Sequence, residues 1–174
     1  MSPIKTVVMI GFMGAGKTTV GQILARRLGW RFIDIDKEVE RSAGMSIADF
    51  FHILGEDAFR TMERRVANQL CWETEAVVAP GGGWILRDGA LESLPATARV
   101  VWLRVTPDEA LRRVFGSATE RPLLRGPKPL ERARRIMAER EPLYAAADYA
   151  VDVDGRDPED IAREVEILVF GAHA

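Results

Sequence analysis

Cysteine, histidine and lysine are scarce in this sequence, and each shortage excludes a kind of site. The single cysteine, Cys71, cannot form a disulfide within the chain, which favours a reducing, cytoplasmic location. The two histidines, His52 and His173, supply neither a zinc cluster nor the base of a Ser-His-Asp triad. Only 4 of the 24 basic residues are lysine, so arginine is the main side chain available for binding carboxylates and phosphates.

The sequence also lacks a strong net charge and a long apolar run. Its formal charge is -2, with 24 basic and 26 acidic residues, so no overall field would hold nucleic acid. No apolar stretch approaches the roughly 18 residues of a membrane span, and we expect no leader. The chain has 174 residues and is 47% hydrophobic, which suits one core. We therefore expect a single domain over residues 1–174, acting as a monomer with no nucleic-acid or membrane partner.

Short apolar runs alternate with helical patterns along the chain. The apolar runs predict strands at residues 6–10, 31–34, 76–79, 99–104 and 148–153. Helical segments fill residues 36 to about 71, with breaks near Gly44 and Gly55. The stretch 116–129 holds two glycines and three prolines, so we expect a mobile loop there. This alternation indicates an α/β fold with a parallel sheet covered by helices on both faces.

The strongest local pattern is Gly-Phe-Met-Gly-Ala-Gly-Lys-Thr at residues 11–18, a P-loop between a predicted strand and a predicted helix. In such a loop the backbone amides surround phosphates, Lys17 reaches the outer phosphates, and the Thr18 hydroxyl binds magnesium. A chance glycine turn is the alternative, but it requires neither the lysine nor the flanking elements. The sequence predicts binding of a nucleoside triphosphate, and the absence of an Asn-Lys-x-Asp motif disfavours a GTPase.

Two carboxylates stand at the end of the second predicted strand, Asp34 and Asp36. Side chains two residues apart on an extended chain point to the same side, so both would enter the crevice at the carboxyl ends of the strands. There one could serve magnesium and the other could orient or deprotonate an attacking hydroxyl. The alternative is an ordinary acidic turn in which Asp36 caps a helix.

Weaker signals come from a run of glycines and from three arginines. Residues 81–83 are all glycine and follow a predicted strand, which would let the backbone approach a ligand or would simply form a tight exit. Arg60, Arg121 and Arg140 stand out by position, and their guanidinium groups suit carboxylates and phosphates. Each is also open to interpretation as a solvated charge, and Glu63 could form a helix-surface ion pair with Arg60.

Taken together, these motifs resemble the shikimate kinase family across nearly the whole chain. The matching segments are residues 11–21, 34–36, 46–47, 51–56, 59–60 and 63, 81–83, 121–124 and 140–144. The resemblance implies a three-layer P-loop NTPase fold of nucleoside-monophosphate-kinase type with about five parallel strands. It also implies transfer of the γ-phosphate of ATP to the 3-hydroxyl of shikimate.

The resemblance further implies a role for each matching residue. The residues implied to bind ATP are Gly14, Ala15, Gly16, Lys17, Thr18, Thr19, Arg121 and Arg156. Thr18 and Asp34 are implied to bind magnesium. The residues implied to bind shikimate are Asp36, Arg60, Glu63, Gly81, Gly82 and Arg140. Lys17, Asp36 and Arg121 would be catalytic, and Arg121 would lie in a mobile lid at about residues 116–129.

Two positions depart from the usual family pattern. Trp84 follows the glycine run where the family usually has a small or aliphatic residue, and Asp49 replaces a common glutamate. Trp84 could narrow the substrate pocket, so two other functions stay open. One is a kinase acting on another acid, such as gluconate. The other is a nucleotide-binding regulatory module without turnover, which Lys17, Asp36 and Arg121 together argue against.

Overall fold

The computed structural model describes residues 3–116 and 127–171, and its centre is a five-stranded parallel sheet. Along the sheet the strands lie in the order β2-β3-β1-β4-β5, so the first strand is central. Val7 of that strand lies opposite Val77 on one side and Arg99 on the other. The strands are β1 (Thr6–Ile10), β2 (Arg31–Asp34), β3 (Ala76–Ala79), β4 (Ala98–Arg104) and β5 (Tyr149–Asp152).

Helices connect the strands, as a parallel sheet requires. Side chains accept backbone hydrogen bonds at the start of several of them: Ser46 caps α3, Thr106 caps α4 and Asp157 caps α6. The helices are α1 (Lys17–Leu28), α2 (Ile35–Ala43), α3 (Ile47–Leu70), α4 (Pro107–Phe115), α5 (Pro129–Tyr144) and α6 (Pro158–Phe170), with a short 3-10 helix at Trp84–Leu86.

The sheet separates two apolar cores. Val7 and Met9 of β1 pack on one face with residues of α1, α4 and α6, whereas Val8 and Ile10 pack on the other with residues of α2 and α3. Alternate residues of a strand point to opposite faces, so a fully apolar strand such as β1 needs cover on both sides. The resulting three layers confirm the fold class expected from the sequence.

Most predicted boundaries agree with the structure to within one or two residues. The predicted break at Gly44 separates α2 from α3, and Gly55 has non-helical backbone angles inside α3. The predicted loop at 116–129 ends sooner than expected, because Pro129 is the first residue of α5. Residues 117–126 of that loop lie outside the described part of the chain. Within the described ranges, no helix combines the length and apolarity needed to cross a membrane.

Candidate active site

The P-loop connects β1 to α1 at the carboxyl end of the sheet. Gly14 and Gly16 have φ angles of +80° and +90°, in the left-handed region that favours glycine. A Cβ on Gly14 would also lie 2.8 Å from the carbonyl oxygen of Ala110 in α4. No acidic residue stands in the first turn of α1, so its amides and its positive dipole end suit an anion.

Lys17 is the first residue of α1 and folds back over the loop. Its Nζ donates to the carbonyl oxygens of Gly11, at 2.7 Å, and Phe12, at 3.1 Å. These bonds hold the ammonium group against the loop that would surround the phosphates. Thr19, the other residue implied to bind ATP in this turn, is exposed at the start of the same helix.

Asp34 joins the P-loop to the second strand. Its Oδ2 accepts a 3.3 Å hydrogen bond from the Thr18 hydroxyl, and its Oδ1 accepts from the backbone amides of Asp36 and Lys37. Asp34 is therefore the N-cap of α2, and the alternative that assigned the cap to Asp36 is wrong about the residue. The other oxygen of Asp34, Oδ2, lies beside the Thr18 hydroxyl, where we expected magnesium to bind.

One premise of the sequence argument is wrong. The strand β2 ends at Asp34 and α2 begins at Ile35, so Asp36 lies in a helix and not on an extended strand. The period of two therefore does not apply to this pair. The two carboxylates reach different neighbours: Asp34 contacts Thr18, whereas Asp36 points to the glycine loop, residues 81–83.

The glycine loop leaves room for two carboxylates. A Cβ on Gly81 would lie 2.5 Å from Oδ1 of Asp36 and 2.6 Å from Oε1 of Glu63, closer than real Cβ contacts. A side chain at this position would displace at least one of the two acids. Glycine at position 81 therefore lets both carboxylates lie against the loop backbone without displacement.

Arg60 and Glu63 form an ion pair inside the cleft. Nη1 of Arg60 donates to Oε2 of Glu63 at 2.9 Å, and Nη2 lies 3.4 Å from Glu56. The Glu63 side chain is 5% exposed and that of Arg60 is 37% exposed, so the pair is a helix i,i+3 ion pair whose carboxylate is buried. Burial lowers the pKa of Arg60, but the hydrogen bonds and charges of Glu63 and Glu56 outweigh it and raise the pKa above its ordinary value.

Arg140 lies on α5 and is buried, with 7% of its surface exposed. Its Nη1 donates to the carbonyl oxygen of Gly82 at 2.8 Å, while Arg60 contacts the adjacent Gly83. No ion pair among the described residues involves Arg140. A buried guanidinium without a carboxylate partner is costly, which makes this position suitable for an anionic ligand.

Six residues implied to bind the acid therefore meet around one loop. Asp36 and Glu63 approach Gly81, Arg140 approaches Gly82, and Arg60 approaches Gly83. Four different segments contribute, namely α2, α3, α5 and the glycine loop itself. The roles assigned to these side chains remain predictions, but the chain does bring the groups together.

Of the two arginines implied to bind ATP, only Arg156 lies among the described residues, and it is not part of this cluster. Arg121 lies outside the described residues. Arg156 follows β5, where its guanidinium donates to the carbonyl oxygen of Asp152 at 2.9 Å and pairs with Glu164 at 2.6 Å. These contacts hold Arg156 beside the end of the sheet, so its predicted place near adenine stays a prediction.

Sequence reasoning missed Arg113, which joins three segments. Its guanidinium donates to the carbonyl oxygens of Gly14, at 3.3 Å, and Val153, at 2.8 Å, and pairs with Glu109 at 2.6 Å. Arg113 therefore links the P-loop to the segment that follows β5. The sequence contains no motif for this role, because an arginine in an amphipathic helix is ordinarily a surface charge.

Trp84 is buried beneath the glycine loop, with 3% of its surface exposed. Its backbone amide donates to the carbonyl oxygen of Gly81 at 3.0 Å, and the guanidinium of Arg87 covers its ring. On the other side Tyr144 is equally buried, and burial raises the pKa of its phenol although the charge of Arg140 opposes that rise. The two aromatic side chains support the loop from below.

Comparison with known proteins identifies the family of the chain. The family model described as shikimate kinase matches residues 13–168. The chain is 42% identical over 160 residues to a shikimate kinase of Moorella thermoacetica, covering 92% of this chain and 91% of that one.

Solved structures are similar over nearly the whole length. A shikimate kinase from Acinetobacter baumannii in complex with shikimate superposes with a TM-score of 0.89 at 36% identity, covering 95% of this chain and 93% of that one. A gluconokinase from Sinorhizobium meliloti has a TM-score of 0.60 at 21% identity and covers 96% and 90%, a likeness of fold alone. The family model and the relatives agree along the chain: it belongs to the shikimate kinase family.

Proposed function

We propose that this protein phosphorylates shikimate, transferring the γ-phosphoryl group of ATP to its 3-hydroxyl to give shikimate 3-phosphate and ADP. The observation that carries the proposal is Arg140, a buried guanidinium at the glycine loop with no ion pair among the described residues. A carboxylate of the substrate would supply the missing charge through a bidentate contact. Family membership supports shikimate as the acid.

ATP would bind with its phosphates in the P-loop. The amides of residues 14–16 and the start of α1 would surround the β- and γ-phosphates, and Lys17 would turn from the loop carbonyls to the outer phosphates. Thr19 would lie at the same helix end. Arg156 would lie at the adenine side, where the loop after β5 meets Arg113.

The Thr18 hydroxyl and the Asp34 carboxylate fit magnesium, which prefers oxygen ligands and keeps several waters. The two oxygens lie 3.3 Å apart at the mouth of the P-loop, where one ion could reach both. Magnesium bound there would neutralise charge on the phosphates. Asp34 would hold it directly or through water.

Asp36 would act as the general base for the 3-hydroxyl of shikimate. Its carboxylate would accept the proton while the hydroxyl oxygen forms a bond to the γ-phosphorus and the bond from that phosphorus to ADP breaks. Glu63 would hold Arg60 in orientation, and Arg60 and Arg140 would bind the carboxylate of the acid. Catalysis would consist mainly of positioning and charge stabilisation.

Closure over the phosphates would come from residues 116–129, with Arg121 as the group that meets the transferred phosphoryl. We also infer that the chain is one domain, because both apolar cores pack on the same sheet, and that it acts as a monomer.

A panel of substrates tests the proposed function directly. ADP release would be measured with shikimate, gluconate and nucleoside monophosphates under identical magnesium and ATP concentrations, and the phosphorylated product would be located by ³¹P NMR. We expect turnover with shikimate and phosphate on the 3-hydroxyl. Turnover with gluconate alone would move the protein to another acid kinase, and no ADP release with any acceptor would favour a regulatory module.

A further inference from the structure

A small cavity lies beneath the glycine loop. Its volume is about 10 Å³, which is room for one water molecule. It lies between the end of β1 and the last residue of α5, and its lining residues are Ile10, Gly11, Pro80, Gly81, Gly82, Trp84, Ile85 and Tyr144.

Two of the lining side chains carry polar atoms without partners. Nε1 of Trp84 and the hydroxyl of Tyr144 are buried and have no well-formed hydrogen bond within the described part of the chain. Each residue has only 3% of its surface exposed. Buried polar groups in native proteins are almost always paired with protein or with ordered water, so both atoms call for a partner.

One water molecule can partner both atoms. The indole N–H of Trp84 can only donate, whereas the Tyr144 hydroxyl can donate or accept. A water oxygen has two lone pairs and can accept from both groups. The water would in turn donate its protons to backbone carbonyls around the cavity.

We propose that this cavity is a binding site for one ordered water molecule, which links Trp84 to Tyr144 and thereby positions the glycine loop and Arg140. Trp84 bonds to the carbonyl oxygen of Gly81 and Arg140 bonds to that of Gly82, so the water would join the supports of two successive loop residues. The water itself does not depend on the proposed function. Its effect on the affinity for the acid does rest on that function.

Hydration NMR tests the water without any assay of activity. The protein has four tryptophans, and loss of one indole signal in Trp84→Phe assigns the resonance. We expect the Trp84 indole proton to show an NOE to a long-lived water, both with and without shikimate. Trp72, which is 60% exposed, is the internal control for rapidly exchanging solvent. No long-lived water at Trp84 would overturn the proposal, and so would loss of the water when shikimate binds.

Removal of the hydroxyl tests the positioning role. In Tyr144→Phe we expect a weaker water NOE and a KM for shikimate raised by about twofold to tenfold, with kcat and the KM for ATP nearly unchanged. Tyr149→Phe removes the hydroxyl of the only other tyrosine and is the matched control. An unchanged KM for shikimate in Tyr144→Phe would overturn this role.

A double-mutant cycle separates a shared water from two independent supports. Trp84→Phe should raise the KM for shikimate by a smaller factor in the Tyr144→Phe background than in the wild type, because the water has already lost one partner. Equal factors in the two backgrounds would overturn the link. If shikimate is not turned over at all, the proposed function fails, whereas the hydration experiment on the wild type still decides the water.

Discussion

The hydroxyl of Thr18 donates a 3.3 Å hydrogen bond to Oδ2 of Asp34, which joins the first turn of α1 to the end of β2. The same carboxylate caps α2 through its other oxygen. Asp36, two residues later, is directed to Gly81 on the acid side of the cleft. Asp34 and Asp36 thus lie in different halves of the site, although they are close in sequence. We therefore expect their substitutions to cause different kinetic defects.

Asp34→Asn should raise the magnesium requirement. The substitution removes charge from the proposed metal site, so activity should recover in part as magnesium is raised. Asparagine is also a good N-cap, so α2 should remain folded. Asp36→Asn keeps the shape of the side chain but cannot accept the hydroxyl proton, so kcat should stay low at every magnesium concentration. Magnesium titrations at saturating ATP and shikimate measure both responses. Identical responses would contradict this division of roles.

Arg140→Met should weaken the binding of shikimate far more than the binding of ATP. Removal of one member of a buried charge pair costs ~2 kcal/mol or more, which corresponds to an increase of about 30-fold in the KM for shikimate. Arg60→Met should act in the same direction, because Arg60 contacts the neighbouring Gly83. Arg135→Met changes an exposed arginine of the same helix and is the control. Steady-state kinetics with each substrate varied in turn would show the contrast, and an unchanged shikimate KM in both variants would rule out carboxylate binding by this pair.

Lys17→Ala should lower kcat without unfolding the protein. The ammonium group would face charge that develops on the phosphates, and loss of one such donor costs about 10²- to 10³-fold in other enzymes. Lys5→Ala, at an exposed position before β1, is the matched control. Circular dichroism checks the fold and an ADP-release assay checks the rate. Wild-type activity in Lys17→Ala would disprove the P-loop assignment.

Arg121→Ala should lower kcat more than it weakens binding. An arginine that meets charge mainly in the transition state affects the chemical step, and arginine fingers contribute about 10³ to 10⁵ in other phosphoryl-transfer enzymes. Kinetics at varied ATP and shikimate would separate kcat from KM. A change confined to the KM for shikimate would count against Arg121 as the closing residue.

Low pH should remove the stabilisation that the ion pairs of Glu109 contribute to the folded protein. Hydrogen bonds from Arg112 and Arg113 lower the pKa of this carboxyl from 4.5 to about 2. A lowered pKa in the folded state means that the stabilisation is fully present above the unfolded value and is lost as the pH falls towards about 2. The difference in unfolding free energy between wild type and Glu109→Gln should therefore shrink below about pH 4.5.

Urea unfolding at a series of pH values measures that difference. Glu139→Gln is the control, because Glu139 is exposed and lies 4.0 Å from a single arginine, Arg135. A difference for Glu109→Gln that stays constant down to pH 2 would show that the ion pairs do not lower its pKa in solution.

Local patterns were sufficient for most of the fold. The apolar run of residues 6–10 predicts β1, and the helical spacing of apolar residues after Lys17 predicts α1. Gly29 marks the end of that helix. The P-loop is equally local, because its geometry depends on glycines and on the helix that follows at once. The turn from β2 into α2 was harder, since Asp34 both ends the strand and caps the helix, and the pattern alone does not say which residue is the boundary.

The sequence by itself determined the alternation of strands and helices, the phosphate-binding loop and, through its resemblance, the residues to examine. Only the tertiary structure decided which of them meet. Glu63 became a buried partner of Arg60 because α3 packs against the glycine loop, and Arg140 reached Gly82 across 58 positions of the chain. Arg113 was found at the P-loop for the same reason. Contacts between distant segments depend on how helices and strands pack against one another, and the local spacing of residues does not predict that packing.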